Sequence, residues 1–274
     1  MLGASDGGVG VNVTLTVSTW NFKHLGGEYA SAARVIEEIH SLGYGTELWL
    51  NWDSEPEFYD RENWDRLRAL VGTSPTLSFH TRNDRDRMFE EVELLAYLGG
   101  RVLVVHPCVV SLAEYRQERP AGHPDVPFIR DLAAAAREHG VFLGLENIFA
   151  RTFLDRTLEH VETFGERGGL GICIDLGHAE MRRGEVDDAH EAPETLIRDY
   201  GAVLLHLHVH DVVDGKDHKP LGTGSVDYTK IVDALREVDF HGTAALEIQA
   251  DDPVATIHDG WQVLEKAFGD DLNR

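Results

Sequence analysis

Leu205-His206-Leu207-His208-Val209-His210-Asp211 alternates aliphatic side chains with histidines without a break. A β-strand sends successive side chains to opposite faces, so the aliphatics share one face and the three imidazoles the other. The aliphatic face has a core to pack against, and the histidine face looks into the lumen of a closed sheet. Working outward, the same kind of short β-branched or apolar run recurs. Strands are expected near Val11–Val17, Gly45–Leu50, Thr76–His80, Val102–His106, Val141–Glu146, Leu170–Asp175, Val203–His208 and Thr243–Glu247.

Amphipathic stretches separate these runs. Ser31–Leu42 carries Val35, Ile36, Ile39 and Leu42 at helical spacing, with Gly43 as a stop. Met88–Leu98, Phe128–His139, Thr157–Phe164, Thr195–Tyr200, Ile231–Val238 and Val254–Phe268 read the same way. His139-Gly140 and Phe240-His241-Gly242 supply glycine where a helix hands over to a strand and a positive φ is wanted. Eight strand–helix units of about 34 residues each imply an α/β fold, a single (βα)8 TIM barrel. An open doubly wound sheet would carry a glycine-rich phosphate turn after its first strand, and Ser18-Thr19-Trp20-Asn21 is not one. No linker or composition shift divides the chain. The barrel domain is therefore expected over 11–274, behind a flexible, Gly-rich leader at 1–10 that has neither the basic nor the apolar region of a signal peptide.

The net charge is −23 over 274 residues. Such a surface repels phosphate backbones and anionic membranes, and no basic patch offsets it, because arginines sit among acids as in Arg82-Asn83-Asp84-Arg85-Asp86-Arg87. Nucleic acid is therefore not the expected partner, and no run is long and apolar enough to span a membrane. Scarce lysine beside abundant acid fits a salt-rich habitat as well as a plain solvated surface. Cys108 and Cys173 do not make a disulfide framework, which points to a cytoplasmic location. Homo-oligomerisation stays open.

Six successive expected strands end in a metal-competent side chain: His80, His106, Glu146, Asp175, His208 and Glu247. In a barrel the C-terminal strand ends converge on one axis. One polar residue at a strand end is ordinarily loop chemistry or a helix cap; six in register are not. Carboxylates crowded into a barrel mouth repel one another unless a cation neutralises them, and mixed carboxylate and imidazole donors suit one divalent metal, Mn, Co, Zn or Mg. On the seventh strand His208 is the expected ligand. His206, deeper, is as well explained by core packing, and His210, nearer the rim, either touches substrate or faces solvent. Glu47 sits late on strand two, where it orients a histidine, caps a loop or reaches substrate. Trp20, Trp49 and Trp52 near the mouth stack on a bound ligand or roof the core. Gly222-Thr223-Gly224 stands where barrels often bind phosphate, with Lys219 as its only nearby cation.

Taken together, Leu145-Glu146-Asn147, Ile174-Asp175-Leu176-Gly177-His178, His206-Leu207-His208-Val209-His210-Asp211, His218-Lys219-Pro220-Leu221-Gly222-Thr223-Gly224 and Leu246-Glu247 resemble the xylose isomerase-like barrel superfamily of sugar epimerases, inosose isomerases and endonuclease IV. The resemblance runs through nearly the whole chain. It implies a four-ligand metal set of Glu146, Asp175, His208 and Glu247, with Glu146 and Glu247 as the acid/base pair and His178 on a substrate oxygen. His80, His106 and His218 match further zinc or substrate positions.

Two departures bear on the activity. Thr152 stands where the ketose 3-epimerases carry a second substrate-binding glutamate. Lys216 stands where endonuclease IV has an acidic zinc ligand, with Asp217 displaced by one. The segment Thr81-Arg82-Asn83-Asp84 also lacks an aromatic to open a duplex. The leading expectation is a divalent-metal-dependent isomerase or epimerase of a sugar, polyol or keto-sugar, working through an enediolate. The alternatives are an endonuclease IV-like zinc phosphodiesterase holding a second or third Zn, a lyase or hydrolase of keto-glycosides, and a non-catalytic ligand-binding barrel.

Overall fold

In the computed structural model, residues 11–50, 60–72, 76–81, 84–107, 125–148, 151–163, 169–186 and 188–274 are described. The barrel strands are β1 (Asn12–Ser18), β2 (Gly45–Trp49), β3 (Leu77–His80), β4 (Val102–Val105), β5 (Phe142–Glu146), β6 (Leu170–Asp175), β7 (Leu204–Val209) and β10 (His241–Leu246). Each pairs in parallel with the next, and β1 pairs with β10 from Asn12↔His241 to Val17↔Leu246, which closes the sheet on itself. This is the expected (βα)8 TIM barrel. An antiparallel hairpin, β8 (Asp211–Val213) and β9 (Lys216–Lys219), stands on the rim, and β11 (Leu272–Asn273) lies beside the start of β1.

The strand alternation sorts the two faces. Leu15, Val17, Leu48, Phe79, Leu103, Val105, Leu143, Leu145, Ile172, Ile174, Leu207, Val209 and Leu246 belong to the apolar core between strands and helices. The intervening residues fill the lumen, and many are polar: Glu47, Ser78, Glu146, Asp175, His206 and His208 are all buried. A parallel sheet is buried on both faces, so such groups need partners inside the barrel.

The helices are α1 (Ala32–Ser41), α2 (Trp64–Val71), α3 (Met88–Leu98), α4 (Val126–Glu138), α5 (Thr152–Thr163), α6 (Leu176–Val186), α7 (Pro193–Tyr200), α8 (Tyr228–Glu237) and α9 (Pro253–Phe268). α1 buries Ala32, Val35, Ile36 and Ile39, and Gly43 turns the chain away at φ 83°. Each buried Val or Ile side chain of α1 contributes about 1.5–3 kcal/mol. α9 starts with Asp252 accepting from the Ala255 N–H and with Pro253 in its first turn.

Gly140 has the expected positive φ, 71°, but at the other junction Asp239 takes the left-handed turn at φ 52°. Gly242 instead lies within β10, where a side chain would meet Leu205 O and the Phe240 ring. No helix among the described residues is long and apolar enough to cross a membrane. The expected leader at 1–10, Trp52 and Cys108 lie outside the described residues.

Candidate metal centre at the barrel mouth

The six expected side chains do converge. His80, Glu146 and Asp175 are the last residues of β3, β5 and β6, His208 is the penultimate residue of β7, and His106 and Glu247 follow β4 and β10 directly. Glu146 is the hub. Its Oε2 lies 3.2 Å from His80 Nε2 and 3.0 Å from His106 Nε2, and its Oε1 lies 3.3 Å from both His178 Nδ1 and His208 Nδ1. His208 Nδ1 also stands 3.8 Å from Asp175 Oδ2 and 3.5 Å from Glu247 Oε2. His178 enters from the first turn of α6, its Nδ1 3.2 Å from Asp175 Oδ2.

These separations fit a bound cation. Donor atoms about 2.1 Å from a common ion stand roughly 3.0–3.5 Å from one another in octahedral or tetrahedral shells. His178 Nδ1 is buried without a hydrogen-bond partner among the described residues, although two carboxylate oxygens are close by. Among the described residues the groups close enough to hold such an ion are His80, Glu146 and His208; Glu47, His208 and Glu247; Cys173, His206 and His208; and Asp175, His178, His210 and His218.

Two buried asparagines set the strand ends. Asn147 Nδ2 donates to Asp175 O at 3.0 Å, and the Asp175 N–H donates back to Asn147 Oδ1 at 2.6 Å. Asn21 does the same across the barrel seam, donating to Leu246 O at 3.1 Å and accepting from the Ile248 N–H at 2.7 Å. Each clamp flanks one expected ligand, Asp175 or Glu247. Asn21 was not picked out from sequence; a lone amide beside a tryptophan gives little signal.

Electrostatics follow from the crowding. Burial pushes Glu146 up, but His208, His106 and His178 outweigh it and hold the carboxyl well below its usual range. Asp175 is lowered likewise, burial being overcome by His178 and His210. His178 and His208 rise well above the ordinary imidazole value because surrounding acidic groups overcome burial. The two histidines on Glu146 Oε2 divide: burial wins at His106 and lowers it, whereas at His80 the Glu146 and Glu247 charges prevail and raise it.

Glu47 does not reach substrate. It is fully buried below the ring of ligands, accepts from Ser78 Oγ at 3.0 Å and pairs with His206 Nε2 at 2.9 Å. Its Oε1 faces His208 Nε2 at 3.3 Å, close but off the line of a hydrogen bond. His206 completes the layer through Thr243 Oγ1 at 2.5 Å and is the packed histidine of the two readings. His210 is also fully buried, so it is neither a rim contact for substrate nor solvent-exposed. β7 ends at Val209, and His210 turns inward against Asp175.

The rim hairpin was missed from sequence, although Asp214-Gly215 between β-branched and polar runs is the signal of a two-residue turn. Both residues have positive φ, 52° and 70°. His218 also has φ 52°, an uncommon conformation for a non-glycine residue. With the hairpin in this register, Asp217 Oδ1 is 3.2 Å from His218 Nδ1 and Asp217 Oδ2 is 3.6 Å from His178 Nε2. Displacement of the acid from 216 to 217 therefore does not separate it from the two histidines. Burial opposes protonation of His218, but Asp217 and Glu247 lift it to about 9.

A cavity of about 400 Å³ opens above the ligands, walled by Trp20, Trp49, Ile148 and Met181 and reached by His178, Asp217 and His218. Trp20 packs on the His218 ring, centroids 4.4 Å apart, and Lys23 Nζ sits 3.9 Å over Trp49. Thr152 is exposed at the start of α5. The Gly222-Thr223-Gly224 segment is not a phosphate loop, because the Gly224 N–H is spent on Asp211 Oδ2 at 2.9 Å. Asp211 Oδ1 takes the Val212 and Val226 N–H groups at 2.8 and 3.1 Å.

A closed eight-stranded parallel barrel with an acid and histidine cluster at its C-terminal mouth defines the class. The chain belongs to the xylose isomerase-like TIM barrel family, which it matches over residues 71–267. No protein of curated function matches it in sequence. Among solved structures it is similar to a D-tagatose 3-epimerase-like protein, with TM-score 0.64 and 17% identity over 93% of this chain and 99% of that one. It is similar to the 3-keto-D-glucoside 4-epimerase of E. coli, with TM-score 0.63 and 15% identity over 93% and 100%. A D-psicose 3-epimerase solved in the presence of D-fructose gives TM-score 0.68 and 14% identity over 94% and 100%. At these identities the likeness is one of fold.

Proposed function

We propose that the chain is a divalent-metal-dependent epimerase or isomerase of a sugar, polyol or keto-sugar. The observation that carries this is the meeting of Glu146, Asp175 and Glu247 around His208 Nδ1, at 3.3, 3.8 and 3.5 Å, beneath a cavity of sugar size that Glu146 and Glu247 line. Those four residues would hold one Mn, Co, Zn or Mg ion, which supplies Lewis-acid stabilisation of negative charge on a substrate oxygen. The family resemblance and the sugar epimerases among the structural relatives support the same reading.

Glu146 and Glu247 are the acid/base pair. One carboxylate takes the proton from the hydroxyl-bearing carbon beside the carbonyl, and the C–H electron pair moves into the carbon–carbon bond of an enediolate. The other returns a proton to the opposite face, which restores the carbonyl and inverts the carbon. Delivery to the neighbouring carbon gives isomerisation instead. His178 and His218, which line the cavity, donate N–H groups to substrate oxygens, and Trp20 and Trp49 give the sugar apolar walls.

Incubating the metal-reconstituted protein with ketoses, 3-keto-glycosides and inososes in D2O tests this directly. One solvent deuteron at the inverted carbon per turnover is expected, lost in Glu146→Gln and Glu247→Gln. A metal-loaded protein that exchanges no C–H in any of these substrates would overturn the reading. One observation favours a second reading: Asp217 between His178 and His218, with His80 and His106 on Glu146, offers room for a second or third Zn and phosphodiester hydrolysis. Two or three zincs per chain with cleavage of bis(p-nitrophenyl) phosphate would select it.

A further inference from the structure

The alternation of β7 carries one histidine past the end of the strand, and both nitrogens of that ring are committed. His210 Nδ1 accepts the backbone N–H of His218 at 2.9 Å. It also lies 3.4 Å from Asp211 O, a contact that only a protonated Nδ1 could use; the shorter approach, from a backbone donor, requires a bare Nδ1. The ring proton therefore sits on Nε2, which donates to Asp175, 2.8 Å from Oδ1 and 3.0 Å from Oδ2. The imidazole lies against that of His218, centroids 4.2 Å apart and planes 15° from parallel. Space for it exists because residue 177 is glycine: a Cβ there would strike the His210 ring.

Asp175 is therefore held through both oxygens. Its Oδ1 accepts from the His178 N–H at 2.7 Å, with His210 Nε2 2.8 Å away, and its Oδ2 accepts from His210 Nε2 at 3.0 Å while facing His178 Nδ1 and His208 Nδ1 at 3.2 and 3.8 Å. On the other side, the residue whose N–H is held carries the side chain that meets Asp217, Glu247 and Trp20. β9 is also tied to the barrel by the Gln249 N–H donating to His218 O at 2.8 Å, so His218 is fixed through both of its backbone polar groups.

We propose that His210 is a positioning residue with two separable duties. Through Nε2 it turns Asp175 toward the cation, and through Nδ1 it clamps the β8–β9 hairpin so that Asp217 and His218 face the cavity. The first duty rests on the metal-dependent reading above; the second does not.

Two substitutions divide the duties. In His210→Asn the amide oxygen falls near the position of Nδ1, keeping an acceptor for the His218 N–H but leaving Asp175 unreached. In His210→Gln the amide NH2 falls near Nε2, keeping the donor to Asp175 but leaving the His218 N–H without its acceptor. Mn2+ and Zn2+ affinity by competition titration and exchange of the His218 amide in the metal-free chain are the two readouts.

His210→Asn is expected to weaken metal binding by about 10- to 100-fold with the His218 amide still protected. His210→Gln is expected to keep affinity within about threefold while that amide exchanges about tenfold faster or more. His210→Phe is expected to lose both. Wild-type affinity and protection in the Phe variant, or the same response in Asn and Gln, overturns the proposal; should the Phe variant not fold, the Asn and Gln pair decides alone. If the wild-type chain binds neither metal, the metal reading falls, while the exchange comparison still decides the clamp.

Discussion

Replacing Glu47 probes the layer on which the centre stands. The carboxylate is fully buried and accepts from Ser78 Oγ at 3.0 Å and His206 Nε2 at 2.9 Å, with His208 Nε2 at 3.3 Å. Glu47→Gln keeps the volume but exchanges one acceptor oxygen for an NH2 that cannot accept. Both hydrogen bonds run to Oε2, so the amide oxygen keeps Ser78 and His206 while its NH2 is set against His208 Nε2, a buried mismatch of about 1–3 kcal/mol. Glu47→Leu abandons both hydrogen bonds and the charge facing His208, and should cost about 3–5 kcal/mol, the loss expected when one member of a buried ion pair is removed.

The pH dependence has a definite sign. Burial pushes Glu47 up, but His208 and His206 overcome it, so its folded value lies well below the usual carboxylate value. Its stabilisation is then fully present above the unfolded value of about 4.3 and is lost as pH falls through the folded one. Urea unfolding of the metal-free protein at pH 7 should rank wild type above Gln above Leu, with the gaps narrowing only in strong acid. A Leu variant within about 1 kcal/mol of wild type at pH 7 would refute the view that Glu47 carries a buried charge for the two histidines.

Other perturbations have clear outcomes. Gly177→Ala drives a methyl into the His210 ring and should destabilise the fold by about 1–3 kcal/mol in thermal melts; an unchanged Tm contradicts the packing. The Cys173 thiol is wholly buried and pushed up to about 12 by burial, so peptide mapping after iodoacetamide treatment of the native protein at pH 8 should find it unmodified. His218, lifted to about 9, stabilises the metal-free protein fully below the unfolded imidazole value of about 6.5, and this support is lost as pH rises through 9. Urea midpoints should fall between pH 6.5 and 9.5 by more in wild type than in His218→Gln, and equal falls would contradict it.

The barrel was legible because its strands are short β-branched runs with one residue type on the helix side; Leu170–Asp175 and Met88–Leu98 match their expected bounds. Helix α6 is not marked in the sequence. α6 begins directly after Asp175 and runs through Gly177, His178, Arg182, Arg183 and Gly184, too little apolar content for a helical stripe. Residue types at strand ends were enough to mark the six converging side chains, since a parallel barrel leaves them no other place to point. Orientation just past a strand end was not readable. His210 continues the alternation in sequence, yet β7 stops at Val209 and the ring packs beneath the hairpin, a decision made by Asp175, Gly177 and the His218 N–H rather than by its neighbours in the chain. The one-residue offset of Asp217 is absorbed by the Asp214-Gly215 turn and the left-handed His218, a loop geometry that spacing alone does not give.

Asp211 collects the N–H groups of Val212, Gly224 and Val226 on one buried carboxylate, so the segment from 211 to 226 is closed on its own first residue. Gly224 completes the closure, as any side chain there would collide with Asp211 and the Val212 carbonyl. A segment whose ends are stitched together takes only part of its shape from within, because His210 and Gln249 also hold His218 from the barrel. Its turn at 213–216 can be varied without disturbing the strands beneath, provided Asp211, Asp217, His218 and Gly224 stay in register. The hairpin is then a cassette with a fixed base and a variable tip, and its splice points lie inside Asp211 and Asp217.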